Sequence, residues 1–268
     1  MDLKCLAFAL LALGPIASKA EARTICTMVA DASAAKILVQ EGECAGRVTP
    51  ASTFKIALSL MGFDSGFLKD DHTPTLPYQD GYPDWGGEPW RQPADPARWM
   101  KLSVVWFSQQ IALSLGQNRF QQYVTAFQYG NADVSGKPAY RDGVMGAWIN
   151  STLQSSSIEQ IAFLEKVVNR QLPVSSHAFE MTDRITEIAI LPSGWDVHGK
   201  TGTGSPGDDG KYDAAHAYGW FVGWATKGAD KLVFARLIQD ELPAQPSAGA
   251  RARDGLLADF PALASRLR

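Results

Sequence analysis

The 268-residue sequence is poor in several things that would fix its class at once. It holds three cysteines and four histidines. His72, His177, His198 and His216 keep no metal-ligand spacing among themselves or with Asp or Glu, so no metal is expected. Lys and Arg number 25 against 28 acidic residues, a formal net charge of −3, and they never gather into a run. That sets nucleic acid aside as a partner. There is no internal repeat, no low-complexity tract and no clear linker. No apolar stretch approaches the roughly 20 residues of a membrane-spanning helix, so no membrane anchor is expected.

The longest apolar run, Cys5 to Leu13, follows Lys4 and is broken by Gly14-Pro15. Ser18 and Ala20 then stand at the −3 and −1 positions of a cut after Ala20; a cut after Ala22 fits nearly as well. This is the layout of a secretory signal peptide, residues 1–20. Cys5 lies too early to be a lipidated residue at the cleavage site. Residues 21–268 remain as a single domain, long enough for a sizeable core. Cys26 and Cys44 are the cysteines left in that exported chain. An even count there points to a disulfide, against two free buried thiols. Ile25 to Ala30 and Lys36 to Gln40 read as strands around a polar turn, a hairpin that would bring Cys26 towards Cys44.

Past the hairpin, Thr49-Pro50 precedes a helix that starts near Ser52 and ends before Gly62. Residues 73–96 are rich in Pro, Gly and Asp and read as surface loop. Helices are expected over Ser103 to Leu115, Arg119 to Phe127 and Ile158 to Arg170, the last with apolar residues at helical spacing. Three strands follow, at 195–200, 217–224 and 232–238, and then a final helix at 249–267. Strands at both chain ends with helices between them imply an α/β (α+β type) fold. One central antiparallel sheet is built by the two ends, and the helices form a lobe of their own. A site would sit in the cleft between sheet and lobe.

Two short patterns carry chemistry. Ser52-Thr53-Phe54-Lys55 places a lysine one helical turn from a serine. A serine hydroxyl needs a base to become a nucleophile. A helix start adds N–H groups and a dipole that favour negative charge. Alone, the pattern also fits an N-cap serine with a solvated lysine. The apolar flank Ile56-Ala57-Leu58 speaks for burial, which lowers a lysine pKa and frees a neutral amine. Lys200-Thr201-Gly202 ends a predicted strand; a lysine, a hydroxyl and a small residue on an edge strand can grip an acyl substrate lying alongside. There the glycine lets the substrate approach closely.

Ser-x-x-Lys on a helix start followed by Lys-Thr-Gly on a strand marks the penicillin-recognising serine acyltransferases. The Ser-Asp-Asn middle element of class A enzymes is missing; Ser103-Val104-Val105 and Tyr129-Gly130-Asn131 stand in its place. With Ser-Thr-Phe-Lys and Lys-Thr-Gly, these four ordered motifs resemble class D β-lactamases, the oxacillinases, over about residues 24–257. Asp84-Trp85 and Trp220 to Trp224 add to the likeness.

The resemblance implies a serine β-lactamase, transpeptidase-like fold and hydrolysis of the β-lactam ring of penicillin-type antibiotics, giving resistance. Ser52 would be the nucleophile. Lys55, carboxylated by carbon dioxide or bicarbonate, would be the general base, with no other cofactor. Trp148 would hold the carbamate and Ser103 would pass a proton to the lactam nitrogen. Val105, Phe54 and Ile149 would keep the lysine pocket apolar. Lys200, Thr201 and Gly202 would bind substrate, and the backbone N–H groups of Ser52 and Thr203 would form the oxyanion hole. An arginine of the last helix would anchor the substrate carboxylate. Arg253 is preferred over Arg251 because Leu256, Leu257 and Phe260 follow it at helical spacing. No proton-transfer role is given to Tyr129. The family also implies the periplasm of a Gram-negative bacterium; monomer and homodimer stay open. The rival reading is a β-lactam sensor or penicillin-binding domain that acylates without turnover.

Overall fold

The computed structural model describes residues 22–137, 143–206 and 212–267. The signal-peptide reading of residues 1–20 lies outside them. The elements run β1 (Arg23–Asp31), β2 (Lys36–Gly42), α1 (Lys55–Asp64), α2 (Pro96–Leu102), α3 (Val105–Phe127), α4 (Gly143–Asn150), α5 (Ser157–Val168), α6 (Ser176–Thr186), β3 (Glu187–Ile190), β4 (Asp196–Gly204), β5 (Tyr218–Lys227), β6 (Asp230–Gln239) and α7 (Ala248–Ala264).

The strands form one antiparallel sheet in the order β2-β1-β6-β5-β4-β3. The first strand pairs with the last, Met28 opposite Ala235 and Val29 opposite Phe234, so the chain ends meet as the strand pattern requires. Tyr218 to Ala225 of β5 are buried without a break. A strand covered on both faces reads as a continuous apolar run, and here the helical lobe covers one face and α7 the other. Phe54, Trp106, Phe107, Phe120, Trp148 and Trp220 belong to the core on the lobe side. Val197, Phe221, Phe234, Leu256 and Phe260 pack in a second core under α7.

Cys26 and Cys44 are bonded, with Cα atoms 5.0 Å apart. In the chain-entropy account a loop of this length gives about 3 kcal/mol by constraining the unfolded chain. The hairpin that brings the two cysteines together is the one expected.

Several boundaries differ from expectation. Gly62 does not stop α1, which runs on to Asp64. A Cβ at Gly62 would lie 2.8 Å from Leu68 Cδ1, so its smallness serves packing. The two helices expected over 103–127 run on as α3, and Gly116, with non-helical backbone (φ 67°, ψ 165°), breaks them apart where the gap was expected. α5 begins at Ser157, one residue before Ile158, because Ser156 and Glu159 form a capping box. It ends at Val168 rather than Arg170. The helices α2, α4 and α6 and the strand β3 were not foreseen.

Candidate active site

The site grows from the turn in front of α1. Ala51–Phe54 form a turn of 3-10 helix that passes directly into α1. Ser52 therefore sits in the tight lead-in and Lys55 is the first residue of the α-helix proper. Ala51 has φ 48°, in the left-handed region that a β-carbon disfavours. Such a conformation persists where the surroundings fix it. Here the bonds are many. Trp220 Nε1 donates to Thr49 O (3.2 Å), and Thr49 shares a hydroxyl contact with Tyr218. Val48 bridges to Ser155, and Thr53 gives both its N–H and its hydroxyl to Pro50 O, at 3.1 and 2.7 Å.

Lys55 Nζ lies 3.2 Å from Ser52 Oγ and donates to it. The lysine is 0% exposed. Burial first, and the charge of Lys200 second, hold its pKa well below the ordinary lysine value. Phe54 and Ile56, on either side of it in the chain, are fully buried too. Phe54 is fully buried, stacks on Trp148 at 5.6 Å and meets Phe120 and Tyr129 edge-on. Among the described residues no acceptor takes the Trp148 indole N–H.

Ser52 opens into a cleft of about 430 Å³ lined by Trp85, Gly86, Trp90, Leu102, Ser103, Val105, Ile149 and residues 201–203. Ser103 is not the first residue of a helix, as expected. It occupies the left-handed turn (φ 59°) between α2 and α3, and this turn places it on the wall beside Ser52. Trp90 and Leu102 also line the cleft and were missed, Trp90 because nothing in a Pro- and Gly-rich stretch tells a wall from a loop and Leu102 because it ends a short helix that was not foreseen. A Cβ at Gly86 would lie 2.1 Å from the Trp90 indole, so only glycine lets that turn close.

The opposite wall is β4. Lys200 is buried and donates from Nζ to Thr201 O at 3.0 Å. Burial, then the charge of Arg253, push its pKa down to about 7. Gly202 plays a part beyond the one expected of it. A Cβ there would meet Pro50 O at 2.8 Å and Thr53 Cγ2 at 3.0 Å, so glycine lets the strand lie against the turn that carries Ser52. The Thr203 hydroxyl accepts from the Gly249 N–H (3.0 Å) and fixes the start of α7.

A second cavity of about 500 Å³ shares Thr201 with the first and is lined by Met100, Lys101, Arg184, Lys200 and Arg253. Arg253 thus stands beside Lys200. Arg251 points elsewhere: it bonds Asp240 and Pro246 O. Tyr129 is buried, and desolvation raises its pKa, so the phenol keeps its proton. The structure therefore brings together Ser52, Lys55, Ser103, Val105, Trp148, Lys200, Thr201, Gly202, Thr203 and Arg253. Among the described residues no group of three or more His, Cys, Asp or Glu is placed to hold a metal ion.

A serine beside a buried amine, with a cationic strand edge across a cleft, is built for acyl transfer. Comparison with known proteins agrees. Residues 22–258 match the penicillin binding protein transpeptidase domain. The chain is 42% identical to β-lactamase OXA-9 of Klebsiella pneumoniae over 253 residues, 93% of this chain and 92% of that one. It is 35% identical to β-lactamase OXA-1 of Escherichia coli, over 85% of this chain and 80% of that one. The crystal structure of the class D β-lactamase OXA-427 superposes with a TM-score of 0.85 at 45% identity, over 91% of this chain and 99% of that one.

Proposed function

The chain belongs to the class D β-lactamases, and from that premise we propose that it hydrolyses the β-lactam ring of penicillin-type antibiotics through an ester on Ser52. The observation that carries this reading is the 3.2 Å contact between Ser52 Oγ and the fully buried Lys55 amine, at the foot of a cleft edged by Thr201, Gly202 and Thr203. Ser52 Oγ attacks the lactam carbonyl as its proton passes to the Lys55 side. The C–N bond breaks, and Ser103, on the adjoining wall, delivers a proton to the departing nitrogen. Water then cleaves the ester and frees Ser52. The backbone N–H groups of Ser52 and Thr203 bind the carbonyl oxygen as it gains charge. Lys200, Thr201 and Arg253 receive the substrate carboxylate.

The residues around Lys55 also fit a carbamate. Only a neutral amine adds carbon dioxide, and a fully buried lysine with a lowered pKa supplies one. Phe54, Val105 and Trp148 would enclose it, with the indole N–H as donor. Once formed, the carbamate supplies a general base for both half-reactions. The cysteine bridge fits export, and the Gram-negative periplasm belongs to the same reading.

The test is hydrolysis of a chromogenic cephalosporin by residues 21–268, with and without bicarbonate. Many turnovers per enzyme are expected, with activity falling on removal of carbon dioxide and returning with bicarbonate. A single burst of one equivalent would make the protein an acylating sensor. Full activity without carbon dioxide would refute the carbamate alone.

A further inference from the structure

We propose that Gln160 is a positioning residue for the reaction at Ser52, its buried side-chain amide holding the turn that aims the nucleophile. The proposal rests on the assignment of Ser52 as that nucleophile.

Gln160 lies on α5 and is 1% exposed. Past Ser157 at the helix start, its neighbours on the buried face are Ile161, Phe163, Leu164 and Val167, so a long polar side chain here is out of pattern. Its Nε2 reaches two hydroxyls, Thr53 Oγ1 at 3.3 Å and Tyr129 OH at 2.9 Å. Both partners are 1% exposed.

The proton directions are fixed by counting. Thr53 has one hydroxyl proton and gives it to Pro50 O at 2.7 Å. Any further contact to that oxygen must be donated to it. A side-chain amide carries two N–H donors on one nitrogen, enough for Thr53 and Tyr129 together. A glutamate would offer at most one, and a methionine none. Gln160 is therefore chemically matched to the place and not a filler of volume.

What the amide holds is the residue next to the nucleophile. Thr53 follows Ser52 directly, and Ala51 before it carries the left-handed φ of 48°. On the other side, the space a Cβ would need at Gly202 is filled by Pro50 O and Thr53 Cγ2. The turn is thus clamped between β4 and α5, and Gln160 is the polar half of the clamp. Without it the Thr53 side chain loses a partner behind it, and Ser52 shares the resulting freedom with respect to Lys55 and the cleft.

The experiment compares pre-steady-state acylation by a chromogenic cephalosporin in the wild type, Gln160→Met, Gln160→Glu and Tyr123→Phe. The last removes a hydroxyl that bonds Asp64 (2.6 Å) away from the cleft and controls for a loss of stability alone. Gln160→Met is expected to slow acylation roughly tenfold to a hundredfold, the scale of a small misplacement of a reacting group, while substrate binding before acylation changes less than about twofold. Gln160→Glu is expected to be less impaired at acid pH, where the protonated acid keeps one donor, and to worsen as the acid ionises. Tyr123→Phe is expected to lower the melting temperature and leave acylation at the wild-type rate. Wild-type acylation in folded Gln160→Met, a defect in Tyr123→Phe of equal size, or loss of the fold in both Gln160 variants would overturn the proposal. Failure of the underlying assignment reads differently: intact mass would then show no adduct on Ser52 in the wild type.

Discussion

Lys55 and Lys200 belong to a helix and a strand on either side of Ser52, lie near enough for the charge of one to act on the other, and are both buried. On the helical wall Lys55 is 0% exposed and, among the described residues, bonds Ser52 Oγ alone. On the strand wall Lys200 is 5% exposed, bonds the Thr201 carbonyl and opens towards Arg253 and a second cavity. Both are depressed by burial first, Lys55 by the charge of Lys200 second and Lys200 by that of Arg253. The same residue type is thus put to two uses by depth. The deeper lysine is held neutral, as a base or an acceptor of carbon dioxide. The shallower one is poised near neutral pH, a cation ready for a carboxylate. Neither has a carboxylate partner among the described residues, which leaves the negative charge to come from the ligand or from modification.

The largest effect should come from removing the deep lysine. Lys55→Met keeps the volume and deletes the amine. Turnover should fall by a factor on the order of 10⁴ or more, as with other members of a nucleophile–base pair. Substrate binding before acylation should hardly change. A Lys55→Met enzyme with a few per cent of wild-type kcat would break the comparison, since the deep lysine would then be structural.

Lys200→Met should do the reverse. Losing a charge-assisted contact of about 1.5–3 kcal/mol should raise KM roughly tenfold to a hundredfold and lower kcat less. The wild type adds a pH signature. The protonated lysine binds the carboxylate and is lost as pH rises through about 7, so KM should stay low below that pH and climb above it. In Lys200→Met the climb should vanish. A KM that rises with pH in both proteins would assign the titration to another group.

How much of this was legible in the sequence follows the same division. The helical wall announced itself because Ser-x-x-Lys is a local pattern: three residues of helix fix the distance. The strand wall was legible as a motif, yet the part Gly202 plays in packing was not, because that depends on Pro50 and Thr53 far away in sequence. Ser103 lines the cleft with Ser52 but lies outside the helix expected for it; the left-handed turn that carries it has no sequence marker at a serine. The long amphipathic α5 was readable, while α2 spans only Pro96–Leu102 and α4 carries glycines that weaken any helical pattern. The spacing of Phe179, Thr182 and Ile185 behind the Ser175 cap did mark α6 and was overlooked. Gln160 left a usable signal too, a polar side chain inside an apolar stripe.

The walls touch at Gly202, so Gly202→Ala tests whether they act as one. The added methyl would need to sit 2.8 Å from the Pro50 carbonyl, which is backbone and cannot swing aside. Either the strand edge or the nucleophile's turn must shift. We expect kcat to fall about tenfold, with a smaller rise in KM, as for a modest misalignment of reacting groups. An unchanged kcat with a raised KM would mean that the strand yields and the turn does not.

The smallest effect separates the two arginines of α7. Arg253 lines the same cavity as Lys200 and lowers its pKa, whereas Arg251 is turned to Asp240 and Pro246. Arg253 is partly exposed and is also bonded to Asp254, so solvent and a resident carboxylate both weaken its hold on a substrate. Arg253→Ala should therefore raise KM only about threefold to tenfold. It should also lift the pH at which KM begins to climb, because a repelling charge beside Lys200 has gone. Arg251→Ala should leave KM and its pH profile unchanged and instead lower the melting temperature, since it strands the buried Asp240 carboxylate. Steady-state kinetics from pH 6 to 9 on both variants would decide the matter, and a KM defect confined to Arg251→Ala would move the anchor to that residue.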